Sequence, residues 1–548
     1  MRKPTRVAII DDGINETIFN EKFLEYNLEI DAELQVVSRR NYHDLDFNHA
    51  TICASIIRKY TKCDLMSSIK ILNERAKSTV NQLVRAVEWC IEKEMDLVNI
   101  SLGSTLNLDY EFLRNVVNQA YDRGMIIIAA QSNEGIFTYP ASLTNVIGVN
   151  CDKAGIYTER EFAFNIYPLN GIDITANARH KLKDYLGREF ITQNSNSFAA
   201  PVVTSIINDF LKQKPKMTIE EIRGKLRTAS LNTDLTEYYP NVYHFLDWIK
   251  EAIIFVINDQ GNPYNIEYYD FKVREIIYID SNDVHVITHL ISSYLSGSMQ
   301  TLKTTDTVVI VNQISSYMSD GQGNLYLKEL SKYGKDIVYL GENIDKDVLQ
   351  LLEIDGIKNI KLYHQIINKS DILNKASRDV QIPFIFIYDF DGVKMNSLLF
   401  LLSKKFRENG YSLVTVSDSP QEILSGHKIV NPFKEGAFFE SSLASLCSVH
   451  DPDIMIIGVK RALAFSRDKS TVDRMMNNFQ SDLHMFIIND VSDLYNINDI
   501  ICERSDNVLV LSNINETSSF ECGGNVINCV AEDAIDKLYF FTLNFFRS

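Results

Sequence analysis

Four polar side chains in the N-terminal part of the chain are of the types that nucleophilic acyl transfer requires. Asp11 follows the apolar run 7–10, so its carboxylate can orient an imidazole. His49 opens an apolar helical pattern, so its ring can face a cleft while the helix anchors it. Asn133 follows another apolar run, and its amide can donate to a developing oxyanion. Ser197 begins an apolar helix, whose dipole favours negative charge.

Each of these residues also has an ordinary structural explanation. An Asp-Gly pair favours a turn in any fold, and a serine before a helix is commonly its N-cap. A lone histidine is often a capping or surface residue. The prediction therefore depends on the order of the four residues along the chain and on their surroundings.

The elements that must position these residues alternate between short apolar strands and helices with a 3.6-residue period. Strands are predicted at 6–10, 69–72, 97–101, 125–130 and 146–150, and helices at 80–92, 110–123 and 218–229. Thr218, with Glu221 three residues later, is typical of a capping box. The alternation predicts an α/β fold, a parallel sheet with helices on both faces.

The four segments together resemble the subtilase family, in the chain order Asp, His, Ser. Asp11 stands at the aspartate of the Asp-Thr/Ser-Gly motif, and His49 at the histidine of His-Gly-Thr. Asn133 stands at the asparagine of Ala-Gly-Asn, and Ser197 at the serine of Gly-Thr-Ser-Met-Ala-Ala-Pro. The resemblance implies a subtilisin-like serine endopeptidase domain over residues 1–232. It also implies that Asp11, His49 and Ser197 form the triad and that Asn133 serves the oxyanion hole.

The resemblance further implies a set of substrate-binding residues. Ser101, Leu102 and Gly103 lie in a segment similar to the family's substrate-binding strand, and Ser132 lies beside the oxyanion asparagine. Asp12 stands where most members have a hydroxyl residue, and the Asp-Asp-Gly sequence is similar to that of kexin and furin-like subtilases. One hypothesis is a preference for a basic residue before the cleaved bond. The alternative is that Asp12 is a solvated turn residue.

Several small residues of the family motifs are replaced in this sequence. Ser195 and Asn196 precede the nucleophile in place of glycine and threonine, while Ala50 and Ser132 replace glycines next to His49 and Asn133. Replacing glycine adds a Cβ where backbone or substrate approaches closely. We therefore expect an active enzyme with a restricted site. The alternative is a catalytically impaired subtilase that acts as a peptide-binding scaffold.

The second half of the chain repeats the alternation of strands and helices. It predicts a linker at 233–250, a Rossmann-like α/β domain at 251–378 and a degenerate P-loop-like α/β domain at 379–548. Aligned on a P-loop motif, Asp389 replaces a glycine, Met395 the phosphate-binding lysine and Asn396 the magnesium-binding hydroxyl. No nucleotide hydrolysis, and no cofactor, is expected.

Composition limits the partners and the compartment. The net charge of -17 argues against a general nucleic-acid surface, and no apolar run is long enough for a membrane span. The N-terminus leads directly into the strand-like run 7–10, so no signal peptide is expected. The eight cysteines are scattered without a CxxC spacing, which predicts reduced thiols, no metal site and a cytoplasmic location.

The expected partner is a peptide or protein substrate. A subtilase joined to such a second half resembles clostridial peptide-maturation proteins. That resemblance implies that the substrate is a ribosomal precursor or leader peptide.

Overall fold

The chain forms two compact units, Met1–Trp248 and Ile249–Ser548. The computed structural model describes residues 4–19, 22–39, 47–63, 65–232, 238–257, 268–296, 307–312, 332–340, 360–363, 382–389, 395–430, 436–459, 476–479, 482–489, 505–512, 525–528 and 533–547.

The first unit alternates strands with helices. Its strands are β1 Arg6–Asp11, β2 Leu24–Ile30, β3 Val36–Ser38, β4 Leu65–Lys70, β5 Leu97–Ile100, β6 Ile126–Ala130, β7 Ile147–Cys151, β8 Phe162–Phe164, β9 Ile174–Ala176, β10 Lys181–Lys183, β11 Glu189–Ile191 and β12 Val242–Tyr243. Its helices are α1 His49–Tyr60, α2 Val80–Glu92, α3 Tyr110–Asp122, α4 Asn196–Gln213 and α5 Ile219–Ala229.

The main sheet of this unit has the strand order β3-β2-β4-β1-β5-β6-β7-β9-β8. Its neighbours are parallel except at the two edges, where β2 pairs with β3 and β8 with β9 in antiparallel fashion. Strands β10 and β11 form a separate hairpin.

Helices cover both faces of the main sheet. In β1, Val7 and Ile9 pack in the same core cluster as α1 and α4, whereas Ala8 and Ile10 pack with α2 and α3. This alternation is the period-2 geometry of a strand that is buried on both sides. The predicted α/β fold with a sheet between two helical layers is confirmed.

The predicted strand at 69–72 is wrong in its position, because β4 spans Leu65–Lys70. Its polar residues Ser67 and Ser68 are buried and interrupt the apolar pattern. The Ser68 hydroxyl accepts the backbone N–H of Ile14 at 2.8 Å, so it is satisfied without water. The predicted helix at 80–92 is confirmed as α2.

A buried ion pair joins α5 to the sheet. Arg223 donates from Nε and Nη2 to the carboxylate of Asp173 at 3.0 and 3.1 Å, and both side chains are less than a tenth exposed. Arg223 Nη2 also donates to the carbonyl oxygens of Thr144 and Val146. The guanidinium therefore links α5 to the sheet near the start of β7.

The described end of the predicted linker, residues 238–248, lies within the first unit. The carbonyl oxygen of Asp247 accepts hydrogen bonds from Arg114 Nε at 2.7 Å and from Asn118 Nδ2 at 2.9 Å, both on α3. Trp248 is buried as well.

The second unit is also α/β. Its strands are β13 Glu251–Ile257, β14 Lys272–Ile279, β15 Thr307–Asn312, β16 Asp336–Leu340, β17 Leu362–Tyr363, β18 Phe384–Asp389, β19 Leu413–Ser417, β20 Lys428–Ile429, β21 Ile454–Val459, β22 Leu483–Ile488, β23 Val508–Ser512 and β24 Asn525–Asn528. Its helices are α6 Val284–Ser296, α7 Met395–Glu408, α8 Gly436–His450 and α9 Ala534–Arg547.

These strands form two parallel arrays, in the orders β17-β16-β15-β13-β14 and β20-β19-β21-β18-β22-β23-β24. Strand β18 is buried on both faces: Phe386 packs with α8, and Ile387 packs with α7 and α9.

Much of the predicted P-loop-like turn lies outside the described residues, but its two ends do not. Asp389 ends β18, is fully buried, and accepts the backbone N–H of Met395 at 3.0 Å. A carboxylate thus lies at the N-terminus of α7, where a P-loop protein binds phosphate. The Met395 side chain is buried in the core and does not reach outward as a phosphate-binding lysine would. The degenerate character of this motif remains a prediction.

The described part of the chain contains five cysteines without a disulfide, at 53, 63, 90, 151 and 447. No helix within the described ranges combines the length and the apolar character needed to cross a membrane.

Candidate active site

The predicted site lies at the carboxyl ends of three neighbouring parallel strands. Asp11 ends β1, the segment 101–103 follows β5, and Asn133 follows β6. Strand β5 pairs with both β1 and β6, so these three strand ends meet at one edge of the sheet. His49 and Ser197 lie in the first turns of α1 and α4, which pack against each other.

Asp11, His49 and Ser197 form a continuous chain of hydrogen bonds. His49 Nδ1 lies 2.8 Å from Asp11 Oδ2, and His49 Nε2 lies 2.9 Å from Ser197 Oγ. Asp11 is only 1% exposed and its other oxygen accepts the backbone N–H of Asp12 at 2.8 Å. A neutral imidazole that donates from Nδ1 has Nε2 free to accept the serine proton.

The His49 ring is held on one side by an aromatic stack. Phe198, the residue after Ser197, places its ring centroid 4.9 Å from that of His49 at an interplanar angle of 29°. The His49 side chain is 32% exposed, so it remains open to the cleft. Burial lowers the pKa of His49, but Cys53 and Asp11 raise it by more, and the net pKa lies above its ordinary value.

Cys53 belongs to the site and was not predicted. Its Sγ lies 3.9 Å from His49 Nδ1 and 3.6 Å from both Ser101 Oγ and the carbonyl oxygen of Ser197. Cys53 is one helical turn after His49, so the i, i+4 spacing on α1 was the signal that could have found it. Burial raises the pKa of the Cys53 thiol. Asp11, His49 and Cys53 also place ligand-type atoms within 4.8 Å of one another, the kind of donor set that a metal ion could use.

The predicted oxyanion residue is oriented by the backbone of α4. Asn133 Oδ1 accepts the N–H of Asn196 at 3.0 Å, which directs the amide nitrogen away from that contact. Asn196 Nδ2 donates to the carbonyl oxygens of Gln131 and Ser132, and its Oδ1 accepts the N–H of Cys151 at 2.7 Å. The residue that replaces the family's threonine therefore ties α4 to the ends of β6 and β7.

Ser195, which replaces a motif glycine, directs its hydroxyl into the site. Its Oγ lies 2.8 Å from Ser197 Oγ and 3.3 Å from Asn133 Oδ1. By contrast, Ala50 is fully buried in the core, so its methyl group does not narrow the cleft. The first turn of α1 directs this position into the core.

Asp12 makes contacts that the sequence did not predict, while its predicted contact with a basic substrate residue stays a prediction. Its two carboxylate oxygens accept the backbone N–H groups of His49 at 3.1 Å and Ala50 at 2.8 Å. Burial and the charge of Asp11 raise the pKa of Asp12, although these hydrogen bonds oppose the rise. Asp12 thus binds the N-terminus of α1 and fixes the backbone that carries His49.

The other predicted substrate residues lie along the cleft edge. Ser101 and Leu102 are half-buried and Gly103 is exposed, while Ser132 is half-buried and accepts the N–H of Glu134. A Cβ at Gly103 would lie 2.6 Å from the carbonyl oxygen of Tyr139, so only glycine fits at this close approach. Ser104 and Tyr139 exchange two backbone hydrogen bonds of 2.8 Å just beyond it.

His180 is a second residue that the sequence did not reveal. It is fully buried below the start of α4, where Nε2 lies 3.1 Å from the carbonyl oxygen of Phe198 and Nδ1 lies 3.0 Å from the Tyr60 hydroxyl. Burial lowers the pKa of His180 to about 4. A neutral His180 donates to Phe198 and accepts from Tyr60, so it supports the turn that carries Ser197.

A serine, a histidine and an aspartate joined by hydrogen bonds beside an amide side chain form the arrangement found in serine hydrolases. Within that class, residues 2–245 match the family model described as the subtilase family, and this part of the chain is a subtilase domain.

Two curated relatives illustrate the likeness. The minor extracellular protease Epr of Bacillus subtilis (strain 168) is 25% identical over 237 residues, which are 41% of this chain and 35% of Epr. Subtilisin DY of Bacillus licheniformis is 22% identical over 249 residues, 43% of this chain and 86% of that protein. The chain thus spans about a third of the length of Epr.

Solved structures to which part of this chain is similar include the S41 psychrophilic protease, with 18% identity and a TM-score of 0.34 over 41% of this chain and 82% of that one. A lanthipeptide protease has 18% identity and a TM-score of 0.31 over 42% of this chain and 81% of that one.

Proposed function

We propose that the protein is a serine endopeptidase in which Ser197 attacks a peptide carbonyl. His49 Nε2 accepts the proton of Ser197, and Asp11 holds the imidazole and stabilises its protonated form. The observation that carries the proposal is the hydrogen-bond chain from Asp11 Oδ2 through His49 to Ser197 Oγ, with distances of 2.8 and 2.9 Å.

Asn133 supplies the electrostatic part of the mechanism. Since its Oδ1 accepts the N–H of Asn196, its amide nitrogen is available to donate to the oxyanion. The Ser197 backbone N–H, in the first turn of α4, is the second donor. Both donors are held in place before substrate binds, so little reorganisation accompanies the reaction.

The proposed substrate is a peptide with a restricted sequence, such as a ribosomal precursor or leader peptide, and the proposed location is the cytoplasm. The half-buried Ser195 hydroxyl next to Ser197 supports restriction, because it takes space where family members have glycine. The free thiols of the described residues are consistent with a reducing compartment.

A fluorophosphonate probe tests the chemistry. We expect covalent labelling of the wild type, mapped by mass spectrometry to the peptide that contains Ser197, and none for Ser197→Ala. Thr228→Ala, which removes an exposed hydroxyl on α5, is the matched control and retains labelling. Failure to label the folded wild type would favour a scaffold that only holds a peptide.

Digestion of a proteome-derived peptide library tests the substrate. A narrow set of cleaved sequences supports restriction, and broad cleavage contradicts it. Enrichment of lysine or arginine before the cleaved bond would restore a role for Asp12 in recognition. No such enrichment is expected, because the Asp12 carboxylate is bound to the N-terminus of α1.

A further inference from the structure

We propose that Ser195 is a catalytic residue whose hydroxyl donates a hydrogen bond to Ser197 Oγ throughout the reaction. The proposal rests on the proposed peptidase function and adds a group to it. The central observation is the distance of 2.8 Å between Ser195 Oγ and Ser197 Oγ.

The position of Ser195 would ordinarily explain its hydroxyl as a helix cap, but the geometry does not. Ser195 is the N-cap residue of α4, in an extended conformation with φ -134° and ψ 143°, and its side chain makes no capping hydrogen bond. Thr79 and Thr218, at the same position before α2 and α5, both cap their helices. The Ser195 hydroxyl therefore does not make the capping hydrogen bond that would stabilise α4, and it lies next to Ser197 Oγ instead.

The available protons determine the direction of the hydrogen bond. In the catalytically competent state His49 is neutral and its Nδ1–H donates to Asp11, so His49 Nε2 must accept the hydroxyl proton of Ser197. Ser197 Oγ can then only accept from Ser195, which makes Ser195 the donor. Asn133 Oδ1, at 3.3 Å, is the more distant acceptor and already receives the N–H of Asn196.

This donor acts on the oxygen whose charge changes in both steps. In acylation the Ser197 proton passes to His49 Nε2 as the Oγ–carbon bond forms, and His49 then protonates the departing amine. In deacylation water attacks the ester, its proton passes to His49, and the bond between carbon and Ser197 Oγ breaks. Partial negative charge develops on Ser197 Oγ as it leaves, and this oxygen recovers a proton from His49. Ser195 keeps its own proton and stabilises that leaving oxygen.

Turnover of p-nitrophenyl acetate, followed from the first turnover onward, tests this role. We expect Ser195→Ala to lower the steady-state rate about tenfold and to show a larger initial burst, because deacylation becomes limiting. The loss is smaller than that for an oxyanion-hole donor because the charge on Ser197 Oγ is partial. Ser195→Thr keeps the hydroxyl and is expected to remain within about threefold of the wild type, while Thr228→Ala is unchanged.

Three different results would each overturn the role of Ser195, and only the third would also overturn the proposed peptidase function. If the wild type is active and Ser195→Ala turns over equally fast or faster, Ser195 is not a catalytic donor and the peptidase function stands. If Ser195→Thr loses as much as Ser195→Ala, side-chain packing rather than the hydroxyl is responsible. If the wild type is no faster than Ser197→Ala, the peptidase function fails, and the role of Ser195 fails with it.

Discussion

His180 Nε2 lies 3.1 Å from the carbonyl oxygen of Phe198, and this contact connects a fully buried imidazole to the first turn of the helix that carries Ser197. Phe198 in turn stacks on His49. Both histidines therefore contact Phe198, His49 through its ring and His180 through its carbonyl oxygen; the His49 side chain is partly exposed and His180 is enclosed.

The enclosed histidine makes stability depend on pH. Burial lowers the pKa of His180 to about 4 from 6.5, so between these values the unfolded chain binds a proton that the native state does not. The free energy of unfolding therefore decreases as the pH falls through this window, by at most about 3 kcal/mol from this group. We expect His180→Gln, which keeps an amide donor, to lose less stability than the wild type between pH 7 and about 4.5. Urea unfolding at both pH values measures this, and parallel losses in the two proteins would contradict it.

The half-buried His49 should set the acid limit of the proposed activity. Because the pKa of His49 is raised above 6.5, the neutral base is lost as the pH falls through a range above that value, and kcat/KM should decline there. Cys53→Ala removes one of the groups that raise this pKa, so the decline should move to lower pH. Cys63→Ala changes a cysteine outside the site and should leave the profile in place. A profile of Cys53→Ala that coincides with the wild type would show that the thiol does not act on His49.

Loss of the Asn133 amide should affect kcat more than KM. Asn133→Ala removes the proposed oxyanion donor, and we expect kcat to fall by about 10² to 10³ with little change in KM. Glu134→Ala alters the neighbouring exposed side chain and serves as the control. A loss that appears in KM alone would show that Asn133 binds the ground state instead.

Gly103 should be required for substrate binding. The Cβ of Gly103→Ala would meet the carbonyl oxygen of Tyr139 at 2.6 Å and Thr138 Cγ2 at 2.8 Å, so the cleft edge must shift. We expect KM for a peptide to rise several-fold while the fluorophosphonate labelling rate changes less. Gly224 lies on α5, and the Cβ of Gly224→Ala would make only an ordinary contact with Pro240 at 3.5 Å. This variant should leave the free energy of unfolding unchanged or raise it. Equal behaviour of the two variants would contradict a special role for Gly103.

Removing one partner of the buried ion pair between Arg223 and Asp173 should lower the free energy of unfolding more than replacing both partners with apolar residues. Asp173→Asn leaves the buried guanidinium without a compensating charge, and we expect a loss of about 3 to 5 kcal/mol in the free energy of unfolding. The double variant with Asp173→Leu and Arg223→Met should lose less than this single one. Glu189→Gln breaks an exposed pair with Lys181, whose partners are 62% and 52% exposed, and should cost less than about 1 kcal/mol. Urea unfolding compares all three variants, and a double variant less stable than Asp173→Asn would refute the argument.

The sequence was sufficient for the positions of Asp11, His49, Asn133 and Ser197 because each follows or opens an apolar run whose period indicates a strand or helix. The ends of parallel strands meet at one edge, so order along the chain predicts proximity there. The predicted position of β4 was wrong because its two buried serines, Ser67 and Ser68, interrupt the apolar pattern.

The contacts that refine the site were not predictable in the same way. His180 lies in an irregular segment after β9 and meets Phe198 only through the tertiary fold. Asp12 has an Asp-Gly turn context that suits a solvated carboxylate, a substrate contact or a helix cap equally well. Only the position of α1 distinguishes these roles, since its first N–H groups approach Asp12 from 37 residues further along the chain.

The adjacency of Asp11 and Asp12 has a practical meaning for protein engineering. One carboxylate holds the imidazole of His49 and the next holds the backbone of the same residue, so orientation and location of one base depend on consecutive positions. A designer who replaced Asp12 to change substrate preference would also remove the hydrogen bonds that hold the backbone at His49 and Ala50. Selectivity is therefore better redesigned at the segment 101–103, which follows the neighbouring strand β5.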